Sequence, residues 1–158
     1  MALSQQHLVG LLRYTSQMRT TMLDNLSDAD LGIAVPGNPS LGELCREMGN
    51  VESCYIEAFM TRQLVWGLQR DDSPATAASV EQLKAWFKAL DEEFTSVLES
   101  LPEADYEAMK IERDGRVLPA DAFYQNYHEA LLIFCGRCSV YLRMMGKPLD
   151  QQWLSWIG

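Results

Sequence analysis

Two thiols three residues apart, Cys135 and Cys138 in "FCGRCSVYLRMMG", are the first groups in this chain whose spacing could do chemistry. A CxxC can carry a redox disulfide or half of a zinc site. Redox pairs of this kind sit where a strand meets a helix start, because exposed amides and the helix dipole there lower a thiol pKa. Here the motif follows "HEALLIF" inside a helical pattern, with no strand before it. A structural zinc site needs two further ligands at matching spacing, and Cys45 and Cys54 are nine residues apart. Cys138 instead continues an apolar line through Phe123, Tyr127, Ala130/Leu131, Phe134, Tyr141 and Met145. The thiols therefore read as small, reduced packing residues.

A second constellation spreads over two segments. Glu43, Glu47, Asn50 and Cys54 fall within about 60° of one another on a helix, and His128 and Cys135 within about 20°. If those faces met, Glu47, Cys54, His128 and Cys135 could surround a zinc ion. Nothing in the sequence demands the meeting, and a solvated acidic flank beside an ordinary helix seam is the favoured reading. Glu47, Asn50, Cys54 and His128 are thus the candidate pocket residues, and His128 is the best acid–base group. With His7 the other of two histidines, no GxSxG and no glycine-rich phosphate loop, nucleophilic catalysis and nucleotide binding find no support.

Four helices must position these groups. The first carries Leu8, Leu11, Leu12, Thr15, Met18, Met22 and Leu26 at three- and four-residue spacing, with Ser4 as its cap. "SDADLG" reads as a turn and "AVPGNP" as a loop. Ser40 with Glu43 forms a capping box opening a second helix, whose stripe is Leu41, Leu44, Met48, Val51, Tyr55 and Phe59 and which ends near Trp66. After the loop "QRDDSPATAA", Ser79 with Gln82 opens a third helix carrying Val80, Leu83, Phe87, Leu90, Phe94, Val97 and Leu101. Residues 102–119 read as a small ribbon or ordered loop around Asp114-Gly115, a pair suited to a tight hairpin turn. Asp121 caps the fourth helix, which runs to about Met145, with Gly146 at C′ and Pro148 beyond. The tail "LDQQWLSWIG" packs back on the body. Four amphipathic helices bury their stripes best as an all-α four-helix bundle, read here as a single domain over residues 1–158.

Charge and composition bound the partners. A net charge of −9 without any basic cluster disfavours nucleic acid and anionic membranes. No stretch approaches the roughly 18 apolar residues of a membrane span. The N-terminus lacks a secretory pattern, so a cytoplasmic protein is expected. Among the aromatic residues, Trp66, Trp86, Trp153 and Trp156 fill a bundle, line a pocket or face a partner.

Two segments carry a family resemblance. "SLGELCREMGNVE" is similar to the second-helix motif of the DinB-like superfamily, T-hydrophobic-G-E-L-x-x-His-x-x-x-x-E. "FCGRCSVYLRMMGKPL" resembles its fourth-helix motif, His-R-G-Q, a hydrophobic run, then L-R-x-x-G and a proline. The helix order, the long connection before the last helix and the length agree. The resemblance implies a four-helix bundle of the DinB and YfiT type, commonly a homodimer, often with a divalent metal on three histidines. Characterised relatives include thiol-dependent S-transferases and isomerases. Transferred residue by residue, the metal positions fall on Glu47, Ala130 and Phe134, and neither a methyl nor a phenyl group has a lone pair to give. Arg143 matches the family arginine and reads as structural, pairing with carboxylates or carbonyls near the helix C-terminus, and Arg137 replaces the motif's glutamine. The expectation is a member with no metal or other cofactor, holding a small ligand or partner at an inter-helical cavity. The alternative is a thiol-dependent transferase or isomerase, or a metalloenzyme with substitute ligands.

Overall fold

The computed structural model describes residues 3–157. Four long helices make the frame: α1 (Gln5–Asp24), α3 (Leu41–Thr61), α5 (Val80–Ser100) and α7 (Ala120–Met144). Between them lie the short helices α2 (Asp28–Leu31), α4 (Pro74–Ala77) and α6 (Glu103–Ala108), the strands β1 (Lys110–Arg113) and β2 (Arg116–Pro119), and a C-terminal α8 (Gln151–Ile157). α1 packs on α5 and α7, and α3 packs on the same two, so the ring order is α1-α5-α3-α7. The chain is an all-α four-helix bundle with a hairpin inserted before its last long helix.

Local chemistry sets the helix ends. Ser40 accepts from the Glu43 amide while the Glu43 carboxylate reaches back to the Ser40 N–H, the expected capping box. Ser79 makes only the first half, accepting from the Gln82 amide. α3 stops at Thr61, earlier than the sequence suggests, because Arg62 turns left-handed (φ 68°) and the chain leaves to join the hairpin. There Leu64 N–H donates to Glu112 O and Glu112 N–H to Arg62 O, so Gln63 makes a single parallel bridge to Glu112 of β1. At the hairpin turn, Asp114 and Gly115 adopt φ 51° and 77°, the left-handed pair that a type I′ turn demands.

Three expectations are corrected. The turn read at "SDADLG" is a single turn of α-helix, and "PATA", read as part of a loop, is another, each started by a preceding serine. Asp121 does not cap α7, because the helix begins at Ala120 behind Pro119. Its carboxylate instead accepts from the Leu3 amide and so ties the N-terminal segment down. Gly146 behaves as expected: it is left-handed (φ 68°), and Lys147 N–H closes on Leu142 O.

An aromatic network fills the bundle centre. Tyr55 and Phe59 of α3, Phe94 of α5, and Phe123, Tyr124 and Tyr127 of α7 meet with ring centroids 5.1–5.9 Å apart. All six are buried, and each such ring removes a large apolar area from water. The tail does pack back: Trp153 is buried and its indole N–H donates to Met18 O.

Candidate functional site

Beside the aromatic network lies a buried ion cluster built from three helices. Arg19 of α1 is 1 % exposed and Glu52 of α3 fully buried, and the guanidinium donates to both carboxylate oxygens of Glu52 across the bundle diagonal. The other branch of Arg19 reaches Asp91 of α5, which also accepts from the Ser16 hydroxyl at 2.6 Å. The Phe87 ring lies 4.3 Å from the guanidinium carbon, a cation–π contact that shields it from water. Tyr124 and Tyr127 of α7 lie in the electrostatic reach of Glu52 and Asp91, and their buried hydroxyls find no partner.

One guanidinium therefore faces two carboxylates. Burial pushes the Glu52 carboxyl up to about 7; Arg19 pulls it down and Asp91 adds to the rise. Burial likewise pushes the Tyr124 and Tyr127 phenols well above their ordinary range, with Glu52 adding to the effect.

The cluster opens to solvent on one side only through Asp91, whose side chain is a quarter exposed. It forms part of the floor of a cleft of about 840 Å³ between α1 and α5, with Phe87, Leu23, Ala85 and Thr95 among the apolar and small lining groups. That volume lies within the range of organic-ligand sites. Asp91 Oδ1 is held by Arg19 and Ser16, whereas Oδ2 accepts no hydrogen bond among the described residues. Three ion pairs rim the cleft: Arg13–Glu99, Lys84–Asp24 and Lys88–Glu92.

Of the residues singled out in the sequence, Glu47, Asn50 and Cys54 come together in a second groove of about 580 Å³, between α3 and the Trp66–Gln69 stretch. Their polar atoms serve the neighbouring loop. Asn50 Oδ1 accepts from the Arg70 and Asp71 amides and its Nδ2 donates to Asp71 O; the Cys54 thiol points at Leu68 O. Glu47 is exposed. His128 lines neither groove. It is buried under α8 with its ring 5.6 Å from Trp156, its Nε2 without a partner, and its pKa lowered by burial. Among the described residues, no three His, Cys, Asp or Glu side chains converge as a group that could hold a metal.

At the positions where the resemblance puts the family metal, Glu47 is exposed, Ala130 half-buried and Phe134 buried in the core. One carboxylate, a methyl and a phenyl do not fit a three-ligand metal. Cys45, Cys54, Cys135 and Cys138 are all buried free thiols. Burial pushes Cys135 up to about 12 and Cys138 well above its ordinary value, so neither supplies a thiolate near neutral pH.

Sequence reasoning gave no role to Arg19, Glu52 or Asp91, although Glu52 falls on the closing glutamate of the second-helix motif. A signal was present for the first two: Arg19 sits between Met18 and Met22, and Glu52 between Met48 and Tyr55, both inside apolar stripes. A charge in a buried stripe needs a partner.

Comparison with known proteins agrees with this architecture. Residues 11–131 match the family model of the DinB superfamily. The fold is similar to a crystal structure of a DinB-like protein from Bacillus cereus, with a TM-score of 0.79 and 18% identity over 95% of this chain and 98% of that one. A DinB-like protein from Bacillus subtilis is similar at a TM-score of 0.72 and 16% identity, covering 90% of this chain and 95% of that one. No functionally curated protein matches the chain. Among the described residues, no helix is long and apolar enough to cross a membrane.

Proposed function

Since the chain belongs to the DinB superfamily, we propose that it is a metal-independent member that binds a small organic molecule in the cleft between α1 and α5. The observation that carries this reading is the floor of that cleft, where an apolar wall containing Phe87 meets a carboxylate oxygen with no protein donor. A few oriented polar groups on an apolar surface are what a ligand site requires. The groove beside Glu47 offers less, because the polar atoms of Asn50 are already used by the loop. A transferase, isomerase or substitute-ligand metalloenzyme is the lesser reading, since His128, the best acid–base candidate, lines neither groove. The assembly proposed is a homodimer, for which the exposed Ile133, Val140 and Met144 on α7 offer an apolar face; sedimentation of the purified chain tests it.

The ligand reading is tested by a fragment screen followed by amide NMR. Hits that perturb α1 and α5, and that are lost when Ala85→Trp fills the cleft, are expected. Hits confined to the Glu47 groove, or none, would overturn it. Elemental analysis of the purified protein tests the other half: stoichiometric zinc or nickel, removed by Glu47→Ala, would sink metal independence.

A further inference from the structure

The cleft has a charge preference built into its floor. Above about pH 7, where Glu52 ionises, Arg19, Glu52 and Asp91 together carry one uncompensated negative charge. Among the described residues nothing neutralises it: Ser16, Tyr124 and Tyr127 offer only uncharged hydroxyls, which can hydrogen-bond a carboxylate but leave its charge in place. From outside, the rim cations are already engaged, Arg13 with Glu99 at 2.8 Å, Lys88 with Glu92 at 3.8 Å, and Lys84 with Asp24. The surplus reaches solvent through Asp91, whose side chain is a quarter exposed and whose Oδ2 accepts no hydrogen bond among the described residues, since Glu52 is fully buried.

An incoming carboxylate would meet that charge with no free rim cation among the described residues to offset it. A neutral hydroxyl would satisfy the oxygen but leave the charge. An ammonium does both, through a charge-assisted hydrogen bond, and the net charge of −9 draws cations toward the protein. The wall of Leu23, Phe87 and Ala85 takes an apolar body behind the ammonium. Resting on the proposal that this cleft is the ligand site, we infer that its ligand is a small organic amine, a primary ammonium on an aryl or alkyl body, held by Asp91.

Three probes of one shape separate the alternatives: phenylbutylamine, phenylbutanol and phenylbutanoate, titrated into the full chain and followed by amide NMR. The amine is expected to bind about tenfold tighter than the alcohol, the worth of one hydrogen bond to a charged group, and the acid to bind weakest. Asp91→Asn is expected to abolish the amine's advantage, bringing amine and alcohol to about the same affinity. On the wild-type protein, raising the salt concentration is expected to weaken the amine and not the alcohol, a readout that needs no variant. If the acid binds as well as the amine, or the amine preference survives both Asp91→Asn and high salt, the ligand class is wrong while the cleft stands. If none of the three binds, or binding survives Ala85→Trp, the cleft reading itself fails and the amine with it.

Discussion

Glu52→Gln isolates the cost of the surplus carboxylate. Glutamine keeps the shape and one of the two acceptor oxygens that Arg19 holds, but removes one of the two negative charges, leaving an even Arg19–Asp91 pair. In the wild type the folded carboxyl lies at about 7 against an ordinary 4.5. Below the ordinary value both folded and unfolded states carry the proton, and the native preference for it is fully expressed. As pH rises from there, the unfolded chain gives up the proton first, so folded wild-type protein loses stability until its own carboxyl ionises near 7, and the loss then levels off. Starting at pH 5.5, about 1.5 pH units remain before that plateau; at about 1.36 kcal/mol per unit, the loss is about 2 kcal/mol. The groups facing Glu52 are Arg19 from α1, Asp91 from α5, and Tyr124 and Tyr127 from α7, and all are present in the variant. Urea unfolding of both proteins from pH 5.5 to 8.5 should therefore show wild type falling behind Glu52→Gln by about 2 kcal/mol, mostly before pH 8. A difference that stays level with pH, or moves the other way, would mean that Arg19 keeps the carboxylate ionised throughout and that burial is not the dominant force on it.

Other perturbations test other parts. A Cβ on Gly42 would sit 1.8 Å from the Ala77 carbonyl oxygen, whereas one on Gly10 meets nothing within 4 Å. Gly42→Ala should cost about 3 kcal/mol in urea unfolding, and Gly10→Ala should be neutral or stabilise by up to about 1 kcal/mol. Asn50→Ala removes three hydrogen bonds to Arg70 and Asp71. It should cost about 2 kcal/mol and speed hydrogen exchange at those two amides, with exchange elsewhere little changed. All four thiols should resist a disulfide reagent such as DTNB in the folded protein and react together in denaturant; rapid reaction of Cys135 or Cys138 in native buffer would refute their burial.

The frame was legible because its signals are local. Apolar spacing, the Ser40–Glu43 box, the Asp114-Gly115 turn and the Gly146 stop each depend on residues within a few positions of one another. The ion cluster depends on which helices are neighbours, and nothing local encodes the ring order α1-α5-α3-α7. The same gap affected the candidate pocket. Helical angles correctly grouped Glu47, Asn50 and Cys54 on one face of α3, yet that face turns to the 66–71 stretch. His128 on α7 turns to α8 instead, so the two sets do not line a common pocket. A spacing argument fixes what lies on a face; only the packed bundle decides what the face looks at.

The ion cluster also bears on how the bundle assembles. Its charged members, at positions 19, 52 and 91, belong to three helices separated by long stretches of chain, and the hydroxyls at 124 and 127 come from the fourth. A half-built core lacking α5 would enclose Arg19 and Glu52 without the Asp91 and Phe87 contacts that α5 supplies. Such a partial structure is penalised more than an apolar one of equal area, because ions tolerate incomplete surroundings poorly. The cluster thus works against half-formed species and toward all-or-none folding, whatever it contributes to the stability of the finished bundle.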